Sequence, residues 1–391
     1  MCDVTIVNAD IYTPLQRIQR GYIVVENGVV KDIGWGLPTR IVGEKIDVGG
    51  DIAAPGFVDV HVHGYRGVDT CCASSGDLHR WAREVTRHGV TAILPTTVSL
   101  PHSDLVKVCE NVYRAIEGWH AELGARILGI HLEGPYINRE MAGAHSVEYV
   151  REFDMDEVME YIEASRGYVR EITLAPEVGD VLNAIPTLVR RGIIVSLGHS
   201  LASYEIAIEA IALGASKATH LYNAMPPLHH RRPGIALALL RSRNVVLELI
   251  ADLIHVSPEM MLFTIEYAGP QRVALITDAI SATELPDGVY SLGKQRVKVR
   301  NGVPTIVGSG KLAGTTLTMD RALRNAIEIG IGLQDALIMT SYVPAQSVDA
   351  VARERIGMLA PGFRGDIVIL SKSSLEVRYT FVDGCPVFRA D

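Results

Sequence analysis

The sequence predicts an α/β fold, a (β/α)8 TIM barrel carrying a small β-sandwich domain built from both chain termini. Three observations predict it. Eight short apolar runs in the middle of the chain alternate with helical patterns. Both ends of the chain are rich in strand signals and poor in helical ones. Six ionisable residues, His61, His63, Glu133, His199, His220 and Asp278, fall at or just after the C-terminal ends of those apolar runs. That is where a (β/α)8 barrel keeps its chemistry.

Taken in order, Val4-Val7, Gly21-Val25 and Val29-Ile33 are apolar or alternating, and Asn27-Gly28 between the last two is a hairpin signal. Eight strands follow: Phe57-Val62, Ala92-Pro95, Ile127-His131, Glu171-Leu174, Ile193-Leu197, Lys217-His220, Val245-Ile250 and Arg272-Ile276. Helical patterns lie between them, such as Leu78-His88, Leu105-Glu122, Asp180-Arg191 and Ser203-Leu213. Alternating β and α predicts a parallel sheet, and eight units predict closure. The alternative is a doubly wound open sheet. The strand count favours the barrel, and no Gly-x-Gly-x-x-Gly follows the first strand. The chain ends in strands Ile367-Leu370, Val377-Phe381 and Pro386-Phe388, with a turn at Asp383-Gly384. The small β domain is therefore assigned to residues 1–54 and 359–391, and the barrel to 55–358.

The chain has 391 residues, 48% of them hydrophobic, enough for one large core and a satellite. A net charge of −8 argues against general nucleic-acid binding. No apolar stretch reaches the length of a membrane span, and Met1-Cys2-Asp3-Val4 lacks the basic and apolar regions of a signal peptide. Five irregularly spaced cysteines, Cys2, Cys71, Cys72, Cys109 and Cys385, fit reduced thiols in a cytoplasm better than a disulfide framework. Vicinal Cys71-Cys72 without a second pair reads poorly as a metal site.

His61 and His63 are two apart on a strand, so both imidazoles point the same way. A lone histidine after a strand is ordinarily a hydrogen-bonded structural residue, and Asp278 alone would read as a helix cap. The arrival of all six groups at one barrel mouth argues for a metal site. Glu133, His199 and His220 would hold a divalent transition metal and leave a position open for water, the pattern of a catalytic site. Such a metal acidifies its water toward pH 7. Asp278 would orient that water, accept its proton and return it to the leaving group. His61 and His63 would complete a second site, with Glu133 bridging and Asp278 also binding. His and carboxylate ligands admit zinc, iron, manganese or cobalt, with zinc or iron foremost. The remaining histidines, including His79, His88, His102 and His120, read as surface or packing residues.

The segments PGFVDVHVHG (55–64), HLEGPY (131–136), GAHS (143–146), LAPE (174–177), GHS (198–200), THLYNAM (219–225), ADLIHVS (251–257), LITDAISA (275–282) and LAGTTLTM (312–319) carry a resemblance that covers essentially the whole chain. The sequence resembles the amidohydrolase superfamily and, within it, the N-acetylglucosamine-6-phosphate deacetylase family. The resemblance gives Glu133, His199 and His220 as main metal ligands and Asp278 as catalytic acid/base. It implies that His145 polarises the acetyl carbonyl, that Asn223 and Ala224 touch substrate, and that Arg231 and His255 meet a phosphate. Leu312, Ala313 and Gly314 would form the loop beside the acetyl group. Many superfamily members carry a carboxylated lysine after strand four; this chain has LAPE (174–177) there, the pattern of the deacetylases, and Glu133 takes the bridging role. Some members lose the first His-x-His and use one metal. This chain keeps it, so the metal count stays open. A run such as His229-His230-Arg231-Arg232 is ordinarily a solvated loop, but arginine suits phosphate through bidentate hydrogen bonds. The resemblance further implies a homodimer in which Arg231 crosses to the neighbouring site.

The expected function is a cytoplasmic, metal-dependent deacetylase of an amino sugar phosphate, a small-molecule enzyme with no nucleic-acid or membrane partner. The nearest rival is the same reaction on the galactosamine epimer. A cyclic-amide or N-acyl-amino-acid hydrolase is more distant. A catalytically silent barrel serving assembly has no need of the intact ligands and Asp278.

Overall fold

The computed structural model describes residues 2–390; Met1 and Asp391 lie outside the described residues. The barrel strands are β1 (Phe57–Val62), β2 (Val90–Pro95), β3 (Ile130–Glu133), β4 (Val169–Leu174), β5 (Ile194–Leu197), β6 (Lys217–Ala218), β7 (Val246–Ile250) and β8 (Val273–Ile276). Strands β3 to β8 pair in parallel in sequence order, and β1 pairs in parallel with β2. A parallel bridge between Thr96 and His131 joins β2 to β3. The ring closes between β8 and β1. There the Asp278 N–H donates to His61 O at 3.0 Å, and the Thr277 hydroxyl donates to buried Asp59 at 2.6 Å. The strands are buried almost throughout because helices cover the outer face and side chains fill the interior.

Eight helices follow the strands: α1 (Ser75–Glu84), α2 (His102–Glu117), α3 (Met155–Ala164), α4 (Val181–Arg190), α5 (Tyr204–Ala212), α6 (Ile235–Arg241), α7 (Pro258–Ala268) and α8 (Met319–Glu328). Their starts are written locally. Ser74 and Asp77 form a reciprocal capping box on α1, and Ser203 and Ser257 cap α5 and α7.

A second sheet has eight strands drawn from both termini. Ile52–Pro55 sits between Val4–Tyr12 from the start of the chain and Ile367–Leu370 from its end. The register of Val4–Tyr12 shifts between Ile6 and Ala9, where Asn8 takes φ +57°. The bulge keeps Val4, Ile6, Ala9 and Ile11 all in the core.

Three features differ from the sequence reading. The expected run Ile127-His131 is broken into Arg126–Ile127 and β3, because Gly129 at φ +145° lies against Tyr168 O, where a Cβ would come within 2.5 Å. A three-stranded antiparallel sheet, Gly288–Leu292, Gln295–Arg300 and Val303–Ile306, is inserted after β8. The expectation of five reduced thiols is overturned, since Cys2 and Cys385 form a disulfide across 383 positions. Both chain ends enter one sheet, and the Cys2 N–H donates to Asp383 O at 3.1 Å, which brings the two sulfurs together. Cys71, Cys72 and Cys109 remain free, and the Cys71 sulfur accepts from the Val98 N–H.

Candidate metal centre

The barrel brings the predicted ligands together at the strands' C-terminal ends. Glu133 Oε1 lies 3.0 Å from His199 Nε2 and 2.8 Å from His220 Nε2, and the two Nε2 atoms are 3.0 Å apart. On the other side of Glu133, His63 Nε2 lies 3.4 Å from Oε2 and 3.0 Å from Asp278 Oδ1. His61 Nε2 lies 3.6 Å from both Glu133 Oε1 and Asp278 Oδ1. All six residues are buried.

The backbone aims these side chains by leaving ordinary strand geometry. His199, His220 and Asp278 each follow a strand with positive φ, +49°, +27° and +51°, and Ala224 does the same at +51°. Such values are unfavourable for residues other than glycine and concentrate at functional sites. Gly314 at φ +59° passes so close to Asp278 O that a Cβ would lie 2.8 Å from it. The Thr315 N–H then donates to Asp278 O at 2.8 Å.

Hydrogen bonds made by the other ring nitrogen assign the tautomers of His61, His63, His145 and His199, whereas His220 Nδ1 is buried without a partner. His199 Nδ1 donates to Met141 O at 2.7 Å, and His63 Nδ1 to Thr96 O at 3.2 Å. His61 Nδ1 donates to the Glu248 carboxylate at 2.9 Å. In all three, Nδ1 carries a ring proton and Nε2 faces the carboxylates. Burial would lower His61 and His63, but Glu248 and Glu133 raise His61 well above the usual imidazole range and Asp278 raises His63, so a metal at either Nε2 would displace a proton. His145 is the reverse. Its Nδ1 accepts from the Ser99 N–H at 2.9 Å, so Nε2 carries the proton and donates to Glu133 Oε2 at 3.1 Å. Three histidines therefore present ligand atoms, and the fourth presents a donor.

The electrostatics agree with a cation site. Burial would raise Glu133, but His61, His145 and His199 hold its carboxyl well below the usual range. Burial likewise opposes ionisation of Asp278, and His63 and His61 overcome it. Burial pushes His145 down to about 4, so it is a neutral donor near pH 7. His61 Nε2 is fully buried with no hydrogen-bond partner, an atom that a metal would satisfy. The donor set, imidazole nitrogens with carboxylate oxygens, fits a divalent transition metal. Beside Glu133, His199 and His220, whose atoms lie within 3.0 Å of one another, three further groupings could hold one: His61, Glu133 and His220; His61, His63 and Asp278; and Glu133, His145 and His199. The tautomer of His145 argues against the last.

These groups open into a cavity of about 190 Å³ lined also by Asn223, Ala224, His255, Leu292, Leu312 and Gly314. His255 is held by Asp252, which accepts from its Nδ1 at 2.7 Å. Burial would lower it, but Asp252 outweighs this and raises it, favouring a positive charge at the wall. Ala313 does not reach the cavity and packs in a cluster with Val98, Ile280 and Leu292. Arg231 lies exposed on the loop before α6, outside this cavity. Leu292 was not anticipated. It enters from the inserted sheet, whose signal was Asn301-Gly302 between alternating segments. His131, Glu171, Lys217 and Glu248 were not anticipated either. All four are fully buried beneath the site, and their only signal was a charge or imidazole inside an apolar strand.

The amidohydrolase family profile matches residues 52–387. An N-acetylglucosamine-6-phosphate deacetylase of Bos taurus is 38% identical over 364 residues, covering 90% of this chain and 87% of its own. An N-acetylgalactosamine-6-phosphate deacetylase of Escherichia coli O157:H7 is 38% identical over 341 residues, 85% of this chain and 87% of its own. Among solved structures, a substituted N-acetyl-D-glucosamine-6-phosphate deacetylase of Mycobacterium smegmatis, in complex with N-acetyl-D-glucosamine-6-phosphate, superposes with a TM-score of 0.92. It is 32% identical and covers 99% of this chain and 100% of that one. Sequence, fold and site agree that the chain belongs to the amidohydrolase family.

Proposed function

We propose that the chain is a metal-dependent deacetylase that hydrolyses the N-acetyl group of N-acetylglucosamine 6-phosphate to glucosamine 6-phosphate and acetate. The observation that carries this is one cavity holding Glu133, His199 and His220 atoms within 3.0 Å of one another, with Asp278 and a donor-type His145 beside them. In this reading Glu133, His199 and His220 hold the metal, and His61, His63 and Asp278 offer a weaker second position. When bound, the metal lowers the pKa of a water and polarises the substrate carbonyl.

The chain's own residues supply the rest. Asp278 accepts the proton of the attacking water through Oδ1 and returns it to the amide nitrogen as the C–N bond breaks. His145 donates its Nε2–H to the carbonyl oxygen as charge develops there. Asn223 and Ala224 orient the sugar, and Leu312 and Gly314 flank the acetyl group. The charge favoured on His255 suits a phosphate. Arg231, outside the cavity of its own chain, fits an arginine delivered to the phosphate of a second subunit in a twofold homodimer. A cytoplasmic location belongs to the same reading. Among the described residues no helix is long and apolar enough to cross a membrane.

The galactosamine epimer is the second reading, because a relative with that name is as similar as those named for the glucosamine sugar. Acetate release from both epimers, with and without the 6-phosphate, separates the readings. Turnover is expected to be greatest on the phosphorylated glucosamine derivative, to stop after chelation and to return with zinc or iron. Absence of acetate release from every sugar by metal-loaded protein overturns the function.

A further inference from the structure

Beneath the mouth lies a polar layer that the proposed chemistry does not use. Lys217, Glu171 and Glu248 are all fully buried. Lys217 Nζ lies 2.6 Å from Glu171 Oε2 and 2.7 Å from Glu248 Oε1. The other Glu248 oxygen, Oε2, accepts from His61 Nδ1 at 2.9 Å and from the His220 N–H at 3.1 Å. Glu248 therefore joins a strand β1 imidazole, the backbone of a proposed ligand after β6 and a buried cation. Oε2 accepts both hydrogen bonds, while Oε1 faces the lysine as an ion pair.

We propose that Glu248, anchored by Lys217, is a positioning residue that holds His61 as the Nδ1–H tautomer with its Nε2 lone pair in the mouth, and so builds a second metal position from His61, His63 and Asp278. The inference rests on the metal centre proposed above and goes beyond it by saying what makes the second position able to bind. His199 and His63 are oriented by backbone carbonyls, Met141 O and Thr96 O, which come with the fold. His61 has no such carbonyl and depends on a side chain. Its Nε2 is buried and unpartnered, 3.6 Å from the nearest oxygens of Glu133 and Asp278. Without Glu248 the ring proton is free to sit on Nε2, and an imidazole protonated there cannot bind metal. A buried lysine with two carboxylates is weak as a stability device, since an apolar layer of equal volume is commonly as stable. What the layer holds in place is the better account of it. A carboxylate behind a metal-binding histidine orients the ring and raises its basicity.

The test titrates metal-free full-length protein with Co(II), followed by visible absorption and calorimetry. Wild type is expected to take up two equivalents. Glu248→Leu is expected to bind the second about 10- to 100-fold more weakly, the usual scale for losing such a partner, and the first with a smaller loss, because His220 loses only the acceptor of its N–H. Glu248→Gln retains an oxygen to accept from Nδ1 and should fall between the two, a rescue that a merely structural role would not produce. Isotope-labelled histidine ring nitrogens in wild type loaded with two equivalents of zinc read the ring with no substitution at all; His61 is expected with its proton on Nδ1 and none on Nε2. A His61 proton on Nε2, or unchanged second-site affinity in Glu248→Leu, overturns the inference. Uptake of a single equivalent by wild type overturns it too, while leaving the main centre standing. Uptake of none overturns the metal centre itself.

Discussion

The barrel mouth and the terminal sheet solve opposite problems with the same chain. The mouth buries ionisable groups, six of them within reach of one another, on backbone held at positive φ at His199, His220 and Asp278. The terminal sheet buries hydrocarbon. Ile6, Ile11, Ile23, Ile367 and Phe381 are fully inaccessible, and the disulfide between Cys2 and Cys385 ties the two chain ends together. Positive φ in that sheet falls on Asn8 at a bulge and on Asn27 and Asp383 at hairpin turns, where Asn and Asp tolerate it well, and also on Arg20 within Arg17–Glu26 and Leu375 before Val377–Val382. One region is organised for chemistry, and the other for stability. Substitutions should therefore separate cleanly. Those in the sheet should change stability and leave turnover alone, and those at the mouth should do the reverse.

The largest separation is expected from Phe381→Ala. Removing a fully buried ring from the terminal core should destabilise by about 3–5 kcal/mol, with turnover per folded molecule unchanged. Denaturant unfolding beside an acetate assay measures both. A large loss of turnover in folded Phe381→Ala protein would show that the sheet shapes the site. Next comes Asp278→Asn, expected to lower kcat by about 100-fold or more while keeping the unfolding midpoint. Metal content must be measured on the same sample, since Asp278 also faces the second position. Near-normal turnover with normal metal would remove the proton-shuttle role.

The smallest effect sharpens the comparison through pH. His88 packs outside the mouth between Asp320, 3.0 Å from its Nδ1, and Glu284, 3.2 Å from its Nε2, with the Tyr65 hydroxyl also against it. Burial would lower it, but Asp320 and Glu284 raise it to about 9. The folded value lies above the unfolded one, so this stabilisation is complete below about pH 6.5 and is lost as pH rises through about 9, a contribution of about 3 kcal/mol. The stability difference between wild type and His88→Gln should shrink over that window. A difference independent of pH would mean that His88 is neutral in the folded protein.

Much of this was legible in the sequence because apolar runs ending in His, Glu or Asp carry both the strand and its chemistry. The positions of His61, Glu133, His199, His220 and Asp278 needed no tertiary information. What stayed hidden depended on distant partners. Glu248 inside an apolar strand gives no sign that it meets His61, 187 positions away, or Lys217. The Cys2–Cys385 pairing required knowing that both ends enter one sheet. Gly129 breaks a strand because of Tyr168 on the neighbouring strand side, which local pattern cannot reveal. The inserted sheet was readable in principle from Asn301-Gly302, between Gln295–Arg300 and Val303–Ile306.

The central claim is that Glu133, His199 and His220 form a metal centre. Anomalous diffraction from crystals of active protein, collected on both sides of the absorption edge of the metal found in solution, tests it directly. The account predicts a strong peak bonded to Glu133 Oε1, His199 Nε2 and His220 Nε2, at about 2.0–2.2 Å from each if the metal is zinc. A peak bonded elsewhere, or no peak in crystals of protein that releases acetate, would contradict it.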